Sequence, residues 1–136
     1  MELVSIIVCD AANTTQDGRF NILGGGVDRI FAPSFPITGH LTLVMRMEIH
    51  PAEVGRHSIS VRLMDGDGGT VVQPLNMDID FPKGARFVNS ILNIGNIKLE
   101  IAGMYSFEIL FDGQHKRSWP LEAAVPSQQQ PPSISS

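Results

Sequence analysis

The sequence predicts an all-β fold, and three observations carry that prediction. Short apolar runs with period-two alternation recur along the chain. Turn signals such as Asp17-Gly18, Asp65-Gly66 and Asp112-Gly113 punctuate them. No segment reads as a helix.

Residues 3–9 are an apolar, β-branched run, as expected of a first, central strand covered on both faces. Thr14-Thr15-Gln16-Asp17-Gly18 supplies turn chemistry, so residues 19–31 read as a second strand returning on the first. Ala32-Pro33-Ser34-Phe35-Pro36 cannot stay in a central ladder, because proline lacks a donor and keeps its predecessor extended. It predicts a crossover between sheets. In residues 40–50, Leu41, Leu43, Met45, Met47 and Ile49 point one way. Thr42, Arg46, Glu48 and His50 point the other, with Val44 as the exception. That alternation predicts a strand with one wet face.

Residues 56–64 repeat the pattern with His57, Ile59, Val61 and Leu63. Residues 70–81 follow, with Val71, Leu75, Met77, Ile79 and Phe81 on one face and Pro74 marking an edge or a bulge. Phe81-Pro82-Lys83-Gly84 makes a corner, and residues 86–94 form a further strand. Residues 104–111 and 115–123 read as a hairpin about Asp112-Gly113. The spacing Gly103-x-Tyr105-x-Phe107 has the form of a tyrosine corner, in which the phenol bonds back to upstream backbone. Phe107, Ile109 and Phe111 then point inward. The fold class is therefore an immunoglobulin-like two-layer β-sandwich of about eight strands.

A chain of 136 residues suits one domain, expected over residues 1–125. Residues 126–136 carry no charge and little to bury, and are expected to form a disordered tail. The formal net charge of −4 gives no electrostatic footprint for nucleic acid and no basic patch for a membrane. The single cysteine, Cys9, excludes an internal disulfide and suits a reducing, cytoplasmic setting. The apolar start is too short to span a bilayer and lacks a basic leader, which favours a first strand.

Five groups of residues invite chemistry. Gly24-Gly25-Gly26 is followed by Val27-Asp28, without the lysine and hydroxyl of a phosphate loop, and Arg29 holds the place of a dinucleotide fingerprint's third glycine. A bulge, a bend or close approach of another backbone is the favoured reading. Asp65-Gly66-Asp67-Gly68-Gly69 starts like a calcium loop, but Gly69 and Asn76 stand where further oxygen ligands belong. A solvated turn is favoured, with Asp65, Asp67 and Asp112 retained as an alternative end-loop cation site. His40, His50, His57 and His115 lack ligand spacing, although strand folding could join His50 and His57, more plainly as a solvent-facing pair. Cys9 beside Asp10 reads as a small buried apolar residue. Asp78 and Asp80 share a strand face and read as edge protection.

Val8-Cys9-Asp10, the run from Asp17 to Gly26, Asp28-Arg29-Ile30-Phe31, Pro33-Ser34-Phe35-Pro36, the Gly103–Phe107 corner and Asp112-Gly113 together resemble a bacterial family known only as a domain of unknown function. The resemblance implies a compact β-sandwich and brings no activity with it. No catalytic residue, cofactor or metal ligand is assigned. The expectation is a non-enzymatic binding or assembly module, a homo-oligomer or the binder of a protein partner, with neither nucleic acid nor membrane as partner. The alternative is a ligand- or metal-binding domain, possibly hydrolytic, with its site in the end loops.

Overall fold

The structure, a computed structural model, describes residues 1–126. Ten strands form: β1 Glu2–Cys9, β2 Ala11–Thr14, β3 Phe20–Leu23, β4 Arg29–Phe31, β5 Ile37–Glu48, β6 Gly55–Met64, β7 Thr70–Phe81, β8 Phe87–Leu99, β9 Gly103–Phe111 and β10 Gln114–Ala124. A 3-10 turn at Pro51–Glu53 is the only helical piece among the described residues. One sheet runs β1-β5-β8, a second runs β4-β10-β9-β6-β7, and β2-β3 is a separate hairpin. The β4–β10 pairing is parallel, and the others are antiparallel.

The two larger sheets share one continuous core. Val8, Leu43, Met45 and Met47 enter it from the first sheet, and Ile59, Leu63, Phe107, Ile109 and Leu121 from the second. The tyrosine corner is present: the Tyr105 hydroxyl donates to the Ile101 carbonyl at 2.6 Å. Phe107, Ile109 and Phe111 are buried as expected. The Asp112-Gly113 hairpin forms with φ of 48° and 82°, the left-handed pair that a tight two-residue connection demands. Pro74 meets both expectations for it. It lies on an edge strand, and a register shift between Val61↔Leu75 and Leu63↔Val72 places a bulge there.

Several expectations are corrected. Residues 19–31 are not one strand: β3 pairs with β2, and β4 leaves to run parallel to β10. β1 is an edge strand rather than a central one, although Val8 and Cys9 are buried. β5 has no fully wet face, because Thr42 and Val44 are buried too. The β2–β3 hairpin accounts for this: β2 packs on β5, and the Gly18 carbonyl at the hairpin tip accepts from Asn89 Nδ2 at 2.7 Å. β8 runs on to Leu99, past residue 94, by absorbing an irregularity between Gly39 and Leu41 of its partner, where Asn96 takes φ of 53°. Of the segment expected to be a disordered tail, residues 127–136 lie outside the described residues.

Candidate functional site

The glycine stretch sits between β3 and β4 as a bend. Gly24 and Gly26 take φ of +62° and +89°, which favour glycine. The N–H groups of Gly26 and Val27 both donate to the Val8 carbonyl, at 2.9 and 2.8 Å. Those two donors are therefore spent on the edge of β1 and not turned toward an anion. A Cβ on Gly24 would collide with the Asp10 carboxylate, and one on Gly25 would lie 3.0 Å from Ile22 Cγ2 and 3.3 Å from Ile7 Cγ2. The close approach expected of this stretch is real, and its own chain fills it.

The three end-loop aspartates do not meet. β6 and β9 are antiparallel, with Ile59 opposite Phe111 and Met64 opposite Ser106. The turn holding Asp65 and Asp67 therefore lies at one end of the sheet and Asp112 at the other. Asp65 Oδ1 accepts the N–H groups of Asp67 and Gly69 at 2.9 and 2.7 Å, so this carboxylate closes its own turn. The turn borders an open cavity of about 500 Å³ that Lys98, Glu100, Met104 and Tyr105 also line. Among the described residues no three His, Cys, Asp or Glu side chains cluster as metal ligands.

Asp112 instead pairs with His57. His57 Nδ1 lies 2.7 Å from Asp112 Oδ2, and Nε2 lies 2.5 Å from the Glu53 carbonyl oxygen. Both partners only accept, so the ring satisfies both bonds as the doubly protonated imidazolium. The Asp112 bond, with help from the Glu53 carbonyl, raises the His57 pKa. The His57 bond, with the Ser58 N–H, lowers that of Asp112. The ring also packs between Phe81 and Phe111, at centroid distances of 4.7 and 5.0 Å. His57 is thus only 18% exposed, not one of a solvent-facing pair. His50 is spent elsewhere: its Nδ1 accepts from the Ala52 N–H and caps the 3-10 turn, while Glu53 answers the His50 N–H.

Sequence reasoning missed one cluster, on the outer face of β9 and β10. Glu108 Oε1 accepts from Ser118 Oγ at 2.6 Å and contacts His115 Nε2 at 2.8 Å, and Oε2 accepts from Ser106 Oγ at 2.5 Å. Burial pushes the Glu108 pKa up, but these bonds outweigh it and the net shift is downward. A Ser-His-Glu trio invites comparison with a nucleophilic triad, and the geometry rejects it. In a triad the two imidazole nitrogens divide between nucleophile and carboxylate. Here Ser118 and Glu108 share the same nitrogen, at 3.1 and 2.8 Å, and the serine proton goes directly to the carboxylate. The signal for the cluster was the Asp112-Gly113 turn, but ideal counting from it sets Glu108 against Arg117. A bulge between His115 and Arg117 moves the register by one and brings Ser118 there instead.

Cys9 is buried, and its Sγ lies 3.5 Å from the Thr42 carbonyl. Burial pushes the thiol pKa up, away from the reactive thiolate. Asp78 and Asp80 lie exposed on β7, at the edge of the second sheet, as edge protection requires.

The features above define an all-β chain whose His57, Asp65, Asp112 and Glu108 side chains bond within the fold. The chain belongs to a family of unknown function, DUF6941, whose model matches residues 4–124, from within β1 to the end of β10. No curated protein matches the chain.

Proposed function

We propose that this chain is an immunoglobulin-like two-layer β-sandwich that acts as a non-enzymatic assembly module and binds a second copy of itself. The shared core, the parallel β4–β10 pairing and the tyrosine corner support the architecture. Unequal treatment of the sheet edges carries the function.

An unpaired strand edge is a template for another chain, and folded proteins blunt it with bulges, prolines, charges or brevity. The two larger sheets have four edges: β1, β8, β4 and β7. β1 is bulged at Val4 and holds Gly26 and Val27 on its Val8 carbonyl. β7 carries Pro74, a bulge, Asp78 and Asp80. β4 has only three residues. β8 has none of these devices over Phe87–Ile94: that stretch contains no charge and no proline, and it pairs with β5 without a register shift. We place the protein in a reducing compartment such as the cytoplasm, which the buried free thiol of Cys9 supports. No helix among the described residues is long and apolar enough to cross a membrane.

Static light scattering over a dilution series tests self-association. A mass that climbs above one chain of 14.8 kDa with concentration is expected. A single-chain mass throughout would remove the reading.

A further inference from the structure

We infer that the cleft between β4 and the paired ends of β5 and β8 is a binding site for a small organic cation, an ammonium group on an apolar body. The site is separate from the strand edges on which the assembly reading rests, and it goes beyond that reading.

The cleft measures about 370 Å³, within the range of small-ligand pockets. Its shape follows from the β5–β8 ladder. Gly39 stands opposite Ile97 and Leu41 opposite Ile94, so His40 alone faces two residues of β8, Gly95 and Asn96. This bulge resets the parity of β8, and Ile97 and Leu99 are buried as Ile94 is. Opposed residues share a face, so Gly39 belongs to the inward row with Ile37 and Leu41. It is the one member of that row without a side chain, it is exposed, and a Cβ built on it meets nothing within 4 Å. Ile30 of β4, with Val27 before it, supplies the wall from the second sheet. The two sheets thus leave a recess between apolar walls at this end of the fold.

The charges at the cleft select a cation. Asp10, Arg29 and His40 are its lining residues that can carry charge. Arg29 is already matched: its Nε donates to Glu122 Oε1 at 2.9 Å, and its guanidinium lies over the Phe31 ring at 5.7 Å. Lys98, opposite the lining residue Thr38, is matched by Glu100 at 3.4 Å. Among the described residues none bonds the Asp10 carboxylate, which lies in the space that Gly24 leaves without a side chain. Asp28, next to Arg29, adds a second negative charge. That balance repels a carboxylate or phosphate and leaves Asp10 as the acceptor for an ammonium, whose apolar body then enters the Gly39 recess.

Amide NMR titrations test this on the wild type, Asp10→Asn and Gly39→Leu, with a thermal melt on each. The probes are phenethylammonium and hexylammonium, with hydrocinnamate and phenethyl alcohol as the anionic and neutral counterparts. Both ammonium probes are expected to bind at millimolar concentration and to shift the Val27, Gly39 and Ile97 amides. Asp10→Asn is nearly isosteric and is expected to weaken their binding about tenfold, to the level of the alcohol. Gly39 takes no positive φ, so Gly39→Leu is expected to fold, fill the recess and abolish binding. Hydrocinnamate is expected to bind least. Cleft amides that neither ammonium probe moves overturn the inference. So does hydrocinnamate or the alcohol binding as tightly as phenethylammonium, or an Asp10→Asn variant that binds like wild type. A folded Gly39→Leu variant that still binds places the probe elsewhere and overturns the site. If that variant does not fold, the Asp10→Asn and hydrocinnamate comparisons decide.

Discussion

His57 Nδ1 and Asp112 Oδ2 lie 2.7 Å apart, joining the start of β6 to the β9–β10 turn across 55 residues of sequence. With the Glu53 carbonyl on the other nitrogen, the ring is held as a cation in a mostly buried place. Its pKa is raised above the ordinary 6.5, and that of Asp112 is lowered below 3.8. The histidine contribution to stability is therefore complete below pH 6.5 and is lost as pH rises through the raised folded value. The aspartate contribution is present above pH 3.8 and is lost as pH falls through the lowered folded value. Asp112→Asn keeps a residue that tolerates the left-handed turn, and is expected to lower the His57 pKa. Its destabilisation is expected to be larger near about pH 5.5 than near about pH 8.5. Histidine NMR titration with thermal melts at both pH values measures this. An unchanged His57 titration would contradict the pair.

Tyr105→Phe removes the 2.6 Å bond to the Ile101 carbonyl at a residue only 4% exposed. Loss of such a part-buried hydrogen bond costs roughly 0.5–1.5 kcal/mol. Urea denaturation is expected to show that loss with an unchanged slope. A variant as stable as wild type would make the corner incidental.

Gly24 and Gly26 share a left-handed conformation but differ in surroundings. A Cβ on Gly26 meets nothing within 4 Å, whereas one on Gly24 overlaps the Asp10 carboxylate. Gly26→Ala is expected to cost about 1–2 kcal/mol from conformation alone, and Gly24→Ala more. Gly25→Val adds methyl groups against Ile7 and Ile22, for an overpacking cost of roughly 1–3 kcal/mol. Chemical denaturation of the three variants gives the order. Equal costs for Gly24→Ala and Gly26→Ala would mean that Asp10 moves aside freely.

Features that depend on local spacing were legible in the sequence. The tyrosine corner is read within five residues, and the Asp112-Gly113 turn from two. The inward parity of Leu41 to Ile49 was legible as well. What lies on a strand's far face is not encoded in its alternation, so the burial of Thr42 and Val44 beneath the β2–β3 hairpin could not be read from residues 40–50. β4 was hidden because its ladder partner is distant: Arg29 Nε bonds Glu122 Oε1 across 93 positions. The Glu108–Ser118 contact was hidden by a one-residue bulge that leaves no mark in composition. His57 and Asp112 were each noticed, but in separate hypotheses, because only the β6–β9 register brings them together.

Amide hydrogen exchange of the wild-type protein at low and high concentration tests the central claim most directly, since it reports both association and its place. Exchange of alternate amides within Phe87–Ile94 is expected to slow as concentration rises, while the β7 edge at Thr70–Phe81 exchanges equally at both. Identical exchange across Phe87–Ile94 at the two concentrations, with a single-chain mass at each, would contradict the account.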